Sequence, residues 1–253
     1  MNIRQAKIIE VMREKENLSI DEIKMDFNVS DMTARRDLQV LEREGYITRI
    51  QGGGVIKRNI TDYYHSFYER ERMHIDLKKE IAKKAMDFIK PNEKVILDTG
   101  TTTYYMAKEI AKIEKVITVA TTSLAVANTL YNTNVNVLVF GGFLRKDVPD
   151  LVGPLTEKYL INFHADKLFI GCDGILVDQG LYTSDLYLSS VEEKMIHKAD
   201  KVILVSDSSK FGKKSFIKYG EISDIDVIIT DDNLDIAIID QITKMGIEII
   251  ITS

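Results

Sequence analysis

VSDMTARRDLQVLEREGYITRIQGGG, running from Val29 to Gly54, decides the reading of this chain. Ser30 is placed as a helix N-cap, because its hydroxyl can accept from a backbone N–H that has no partner inside the helix. The helix it starts is expected to reach about Glu44. Along it Ala34, Leu38 and Leu41 recur at i, i+4 and i+7, one buried stripe. Thr33, Arg35 and Arg36 then point away from the core, near the positive helix N-terminus. A major-groove recognition helix carries its base- and phosphate-contacting side chains there. Gly45 is a stop signal. Tyr46 to Arg49 and Gly54 to Lys57 read as two short strands around a Gly52-Gly53 turn, with Arg49, Lys57 and Arg58 on or beside the ribbon. A ribbon beside a recognition helix is a wing. Residues 1–58 are therefore expected to form a winged helix-turn-helix that binds double-stranded DNA. The expected contacts are Ser30, Thr33, Arg35, Arg36, Arg49, Gln51, Gly52 and Gly53.

Upstream residues agree. Ile8, Ile9, Val11 and Met12 give a first helix its apolar face, and Ser19 with Glu22 three residues on is a capping box opening a second. That helix ends near Phe27, and Asn28 supplies the turn into Ser30. The net charge of −5 looks wrong for a DNA binder until it is divided. Residues 1–58 hold 11 basic and 10 acidic side chains, whereas the rest of the chain holds 23 and 29. Within residues 33–58 the balance is 6 basic to 3 acidic, so positive potential gathers on the helix and ribbon. So weakly basic a module should bind poorly alone, and a homo-oligomer on repeated half-sites is expected.

With 45% hydrophobic and 29% charged residues among 253, the composition is that of an ordinary globular protein large enough for a small and a large domain. No apolar run approaches the roughly 18 residues that span a bilayer, so no membrane is expected. One cysteine, Cys172, cannot form an intrachain disulfide, which fits a reducing, cytoplasmic setting.

Residues 59–75 are polar and aromatic without a clean apolar period and read as a linker, with a helical turn placed around Phe67 to Arg72. Tyr63, Tyr64, Phe67 and Tyr68 give it side chains that can dock. From residue 76 to 253 the pattern turns regular. Helical periodicity over Lys78–Lys90 precedes the apolar run Val95–Leu97. Strand-like runs follow at Val116–Ala120, Val135–Phe140, Lys167–Ile170, Val202–Val205, Val227–Thr230 and Ile247–Ile251. Helices are expected between most of them, at Tyr104–Ile113, Leu124–Leu130, Val191–Lys198 and Ile236–Met245. Short apolar strands alternating with helices predict a mostly parallel α/β sheet covered on both faces, whose ligands bind at the C-terminal strand ends.

Those ends carry small polar loops. The first is Asp98-Thr99-Gly100-Thr101-Thr102-Thr103, where glycine and hydroxyls ahead of a helix suit a phosphate. It lacks the Gly-Lys-Ser/Thr ending of a nucleoside-triphosphate loop. Thr121-Thr122-Ser123, Gly141-Gly142 with Arg145, Gly171-Cys172-Asp173-Gly174 and Asp207 to Gly212 with Lys210 follow. One anionic, hydroxyl-rich ligand would satisfy all five. The expected effector contacts are Asp98, Gly100, Thr101, Thr102, Thr103, Thr121, Thr122, Ser123, Gly141, Gly142, Arg145, Asp173 and Lys210. Lys210 is expected to supply the counter-charge. No metal or other cofactor is implied.

Thr33-Ala34-Arg35-Arg36-Asp37-Leu38 resembles the Thr-Ile-Arg-Arg-Asp-Leu signature of the DeoR family of bacterial transcription regulators. Arg49 to Gly54 resembles that family's Arg-x-His-Gly-Gly-Ala wing, with Gln51 in place of His. The strand-end loops Asp98–Thr103, Thr121–Ser123, Gly141–Arg145 and Asp207–Gly212 resemble its sensor-domain elements, and the likeness runs to about Asp232. It implies a sensor domain similar in fold to ribose-5-phosphate isomerase, a phosphorylated sugar or related metabolite as effector, and a repressor of sugar-metabolism genes. One stretch departs. Where the family shows Leu-Glu-Glu-Ala, this chain has Leu186-Tyr187-Leu188-Ser189, without either carboxylate.

Two other readings stay open. The second domain could be a working sugar-phosphate isomerase if Asp98, Asp173, Asp207 and Lys210 converged on a carbonyl and its neighbouring proton, though the missing Glu pair leaves fewer bases. The winged helix could instead dock protein. A hydrolase through Cys172, or a zinc site, is disfavoured because His65, His74, His164 and His197 are scattered and there is one thiol.

Overall fold

The computed structural model describes residues 3–15, 17–44, 46–56, 67–146 and 148–252. The chain divides into two compact units, residues 1–63 and 64–253.

The first unit runs α1 (Ile3–Lys15), β1 (Asn17–Ser19), α2 (Ile20–Phe27), α3 (Asp31–Arg43), β2 (Ile47–Ile50) and β3 (Gly53–Ile56). The expected caps form. Ser19 closes a capping box with Glu22, and the Ser30 hydroxyl accepts from the Thr33 amide. Asn28 turns the chain in the left-handed region at φ 48°, a conformation Asn tolerates better than most residues. Ile8, Met12, Leu18, Ile23, Ala34, Leu38, Leu41 and Ile47 make one core. Asp37, of the Arg-Arg-Asp-Leu run, is buried within this unit. It accepts from Arg4 Nε at 2.7 Å and Gln5 Nε2 at 2.8 Å, tying α1 to α3.

The ribbon differs from its expectation by one residue, and the difference has a cause. β3 is the centre of a three-stranded sheet ordered β1-β3-β2, because the short unforeseen β1 pairs with it. The turn is Gln51-Gly52, with Gly52 at φ +85°. Gly53 belongs to β3 and is buried. A Cβ there would overlap the Leu18 carbonyl oxygen and come within 2.9 Å of Ser19 Cα. Gly45, Lys57, Arg58, Tyr63 and Tyr64, given roles from sequence, lie outside the described residues.

The second unit opens with α4 (Phe67–Arg72) and α5 (Ile75–Ala85). Then come β4 (Lys94–Leu97), α6 (Thr101–Ile110), β5 (Thr118–Thr121), α7 (Leu124–Leu130) and β6 (Asn136–Val139). A hairpin, β7 (Phe143–Leu144) and β8 (Leu151–Val152), leads to α8 (Pro154–Ile161) and β9 (Ala165–Ile170). β10 (Gly174–Leu176), β11 (Gly180–Thr183), α9 (Leu186–Ile196), β12 (Ala199–Val205) and β13 (Ile217–Gly220) follow. β14 (Val227–Asp231), α10 (Ile236–Lys244) and β15 (Glu248–Thr252) complete it. Seven strands form one sheet in the order β15-β14-β12-β9-β4-β5-β6, and every pairing in it is parallel. The strand period of two explains the apolar runs. Val95 and Leu97 enter one core with α5, α6 and α7, while Ile96 enters another with α8, α9 and α10. From β4 the chain steps outward through β5 and β6, then crosses back to β9 and continues through β12, β14 and β15. The reversal lies between β4 and β9, and at such a point the crevice above the strand ends takes ligands.

The expected linker is thus divided. Residues 59–66 fall outside the described part, whereas α4 packs on α6, with Phe67 buried and 5.5 Å from the Tyr104 ring.

The ribbon supplies a stability test. Gly53→Ala should destabilise the full chain by roughly 1–3 kcal/mol, because neither contact it strikes can move without unpairing β1. Gly52→Ala meets no atom and bears only the left-handed strain, about 1 kcal/mol. Denaturation followed by circular dichroism should rank them in that order, and the reverse order would remove β3 from the centre of the sheet.

Candidate DNA interface and candidate ligand site

On α3 the apolar stripe Ala34, Leu38 and Leu41 faces the core, so the opposite side is set by the same 3.6-residue period. Met32, Arg36, Gln39 and Arg43 fall at i, i+4, i+7 and i+11 and are all exposed. Arg36 and Arg43 were therefore joined by a residue type that reads bases, Gln39, on one face. Neither Gln39 nor Arg43 was singled out from sequence, although the periodicity that found the buried stripe also locates them. Arg35 is exposed beside this face and is held by Asp31 at 2.6 Å, one turn earlier. Ser30 and Thr33 bond each other at 2.9 Å and build the cap. Arg49, Gln51 and Gly52 are exposed on the ribbon, whereas Gly53 is occupied by the sheet.

In the second unit the sequence-predicted residues separate into two groups. Several serve the fold. Thr103 Oγ1 donates to the carbonyls of Asp98 and Gly100 at 2.8 and 2.7 Å. Thr121 Oγ1 accepts from the Ser123 amide, and Ser123 caps α7. Gly142 lies so close to Thr156 and Val152 that a side chain would overlap them, while Gly141 meets nothing within 4 Å. Arg145 does not stand free for an effector. It makes a two-bond pair with the fully buried Asp150 and reaches Asp185 at 3.2 Å, which is also the N-cap of α9. Two carboxylates hold its guanidinium charged and fix the β7–β8 hairpin to α9.

Asp98, Gly100, Thr101, Thr102 and Asp173 gather at the reversal between β4 and β9, with Lys210 near enough to act on Asp173. Asp98 is buried, and its Oδ2 accepts from the Gly171 amide at 3.2 Å, across the two strands. Burial pushes its pKa up to about 6, against the backbone N–H groups of Thr99 and Gly171. Gly100 is the N-cap of α6, and no side chain caps that helix, so its first-turn amides are not taken by one. Thr101 and Thr102 are buried there. Asp173, after β9, accepts from the amide and hydroxyl of Ser184 at 2.9 and 2.6 Å and from Arg70 Nη1 at 3.0 Å. Burial alone would raise its pKa. Arg70, then Lys210, then the Ser184 donors outweigh this and hold it below the ordinary value. Thr122 Oγ1 is buried without a partner among the described residues.

Three members of this cluster escaped the sequence reading. Arg70 comes from α4 and Lys78 from α5, both ahead of the sheet. Lys78 is buried, donates to the Arg70 carbonyl and is lowered to about 8 by burial, with Asp207 opposing and Lys210 and Arg70 reinforcing. Glu192, on α9, is 3% exposed, and burial followed by the charges of Asp98 and Asp173 raises its pKa well above the ordinary range. A carboxyl thus does reach this region from α9, three positions past the stretch that lacks the Glu pair. Cys172 is half-buried, 3.6 Å from Ser206 Oγ, and burial pushes its thiol up to about 12, so almost no thiolate is present at neutral pH. Among the described residues no group of three or more His, Cys, Asp or Glu is arranged to hold a metal ion, and no helix is long and apolar enough to cross a membrane.

Known proteins place the chain. Residues 4–59 match the DeoR-like helix-turn-helix domain, and residues 73–232 match the DeoR C terminal sensor domain. The HTH-type transcriptional regulator YulB of Bacillus subtilis is 36% identical, over 92% of this chain and 89% of its own. A putative aga operon transcriptional repressor of Escherichia coli is 32% identical over 98% and 93%. A lactose phosphotransferase system repressor of Staphylococcus epidermidis is 32% identical over 91% and 92%. Among solved structures, a ribose 5-phosphate isomerase of Methanocaldococcus jannaschii aligns over 54% of each chain at 18% identity and a TM-score of 0.39. The two domain matches and the full-length relatives make one statement: the chain belongs to the DeoR family of helix-turn-helix transcriptional regulators.

Proposed function

We propose that this regulator represses a sugar-metabolism operon, that a phosphorylated sugar or related metabolite releases it, and that it works as a cytoplasmic homo-oligomer without catalysing a reaction. The observation that carries the proposal is the pairing of two features in one chain. One is an exposed Met32-Arg36-Gln39-Arg43 face on a winged helix. The other is a cluster of cations and buried acids at the strand-order reversal of a separate parallel sheet. The relatives named for the aga operon and the lactose phosphotransferase system support the sugar assignment. Oligomerisation follows from the weak basicity of a single head, since two heads on repeated half-sites multiply a modest affinity.

In this reading Gly100, Thr101 and Thr102 offer the uncapped start of α6 to the phosphate, Lys210 supplies counter-charge, and Asp98 and Asp173 bond hydroxyls. Ligand binding changes operator affinity, and the coupling is reciprocal. One observation favours a second reading. Asp98 at about 6 and Glu192, raised well above its ordinary range, are carboxyls shifted in the manner of catalytic acids and bases. Isomerisation would exchange the C2 proton of ribose 5-phosphate for deuterium in heavy water, so absence of exchange in the proton NMR spectrum supports the sensor and turnover supports the enzyme.

For DNA, sequences selected from a random duplex pool provide the operator. Arg36→Ala should cost about 1–3 kcal/mol and flatten preference at one base position. Arg49→Ala should weaken all sequences alike and reduce the salt slope by about one. Unaltered binding and preference in the double variant would overturn the interface.

The raised Asp98 pKa makes a separate prediction. Between about 4, the unfolded value, and about 6, the folded protein keeps a proton that the unfolded chain has released. Stability from this group is therefore full below pH 4 and lost as pH rises to 6, on the order of 2–3 kcal/mol. Asp98→Asn should be more stable than wild type at pH 7 and flatter in its urea midpoint between pH 4 and 6. A less stable variant at pH 7 would show that the charge is well accommodated in the empty site.

A further inference from the structure

Six buried side-chain polar atoms lack a hydrogen-bond partner among the described residues, and three of them belong to one cluster: Arg70 Nε, Asp98 Oδ1 and Glu192 Oε2. Such atoms are rare in folded proteins because each forfeits its hydration with no return. Their closeness is electrostatic as well as topological. Arg70 lowers Asp98 and Asp173, while Asp98 and Asp173 both raise Glu192. Arg70 spends Nη1 on Asp173, and its side chain remains 22% exposed, so the cluster reaches solvent beside α4.

We propose that Arg70 and Glu192 contact the ligand, and that with Asp98 they fit a polyhydroxylated compound carrying an anionic group. The anion meets the Arg70 guanidinium, and hydroxyls bond the free oxygens of Glu192 and Asp98. The inference rests on the reading of this cluster as an effector site, and it adds two residues outside the strand-end loops. The chemistry of the unpartnered atoms selects the class. Arg70 Nε requires an acceptor, which a bare metal cation does not provide, and a cation would be repelled by the guanidinium. The two carboxyl oxygens require groups that can donate to a carboxylate or accept from a protonated carboxyl, and sugar hydroxyls do both. A sugar phosphate or sugar acid places acceptors and donors a few bonds apart.

The test uses the full-length protein, thermal shift and calorimetric titration, with inorganic phosphate, ribose 5-phosphate, fructose 6-phosphate and galactose 6-phosphate as probes. Wild type is expected to bind at least one sugar phosphate. Glu192→Leu should raise the melting temperature of the protein without ligand, since a buried acid with one unpartnered oxygen is replaced by an apolar side chain of similar size. It should nevertheless weaken the sugar phosphate roughly 10- to 100-fold, the equivalent of one strong hydrogen bond. Arg70→Met should weaken sugar phosphate by a similar factor and abolish any response to inorganic phosphate. A structural role alone would lower the melting temperature and spare affinity. Because Arg70 is partly exposed, its variant keeps the test decisive if Glu192→Leu does not fold. Unchanged sugar-phosphate affinity in the folded variants overturns this proposal and leaves the effector site standing. A wild type that none of the three sugar phosphates binds overturns the effector reading itself, and this proposal with it.

Discussion

A parallel sheet buried on both faces leaves polar chemistry only one place to go. In β4, β12 and β14 alternate residues enter the two cores, so these strands can be apolar throughout their middles. Where they stop, backbone groups and side chains must find partners or water. At the reversal between β4 and β9 that requirement falls on Asp98. It receives the Gly171 amide from the neighbouring strand end and thereby fixes the two loops against each other. Everything placed around it inherits this geometry: Gly100 opening α6 on one side, Asp173 with Ser184 on the other, and Glu192 rising from α9. The carboxylate is costly in the empty protein, and that cost is concentrated where the strand order leaves a crevice.

Sequence alone resolved the repeating part of this fold because the repeat is physical. Seven apolar runs became seven parallel strands, with edges moved by up to two or three residues, since the period that locates a strand says little about where its ladder ends. The buried stripe of α3 and the caps at Ser19 and Ser30 were legible for the same reason: each is a local rule with a fixed spacing. Non-local roles were not. Gly53 looks like a turn glycine until β1, only three residues long, is seen to pair with β3. Arg145 looks like a phosphate ligand, but Asp150 and Asp185 come from a loop and a helix cap that no spacing connects to it. The hairpin β7–β8 and the sheet β10-β11-β13 are too short to carry a period.

Arg70 and Glu192 illustrate two different reasons for a site residue to stay hidden. Arg70 sits in a polar, aromatic stretch that reads as a linker with side chains able to dock, and its neighbour Phe67 has no periodic company to mark it as buried. Once Phe67 packs beside Tyr104, the guanidinium one turn later falls against Asp173. Glu192 was legible as part of an amphipathic helix, where a Glu is ordinarily solvated. Its burial depends on how α9 meets β9 and β11, a matter of packing. Glu192 brings a carboxyl to the region that the Leu186–Ser189 stretch leaves without one, so a shortage of acids does not by itself distinguish a sensor from an isomerase.

The position of α4 gives the proposed coupling a material basis within the second unit. The first unit ends at Tyr63, and α4 begins at Phe67, so the chain enters the sensor through the helix that carries Arg70. Several interactions hold that helix, among them Phe67 in its aromatic seat, Glu71 with Lys108 at 3.2 Å, Arg70 with Asp173 at 3.0 Å, and Lys78 with the Arg70 carbonyl. The first is apolar and indifferent to charge. The second lies on the side facing α6. The third joins the helix to a buried acid, and it is a pair whose strength depends on what else the guanidinium can bind. In the proposed coupling, an anion bound at Arg70 shares the guanidinium with Asp173, and any change in that pair acts on the helix through which the chain arrives. By reciprocity, any restraint that DNA places on that segment must return to the ligand site as a change in its affinity. Under the proposed coupling no long internal pathway is needed, because the residue proposed to meet the anion stands on the element at which the chain enters the second unit.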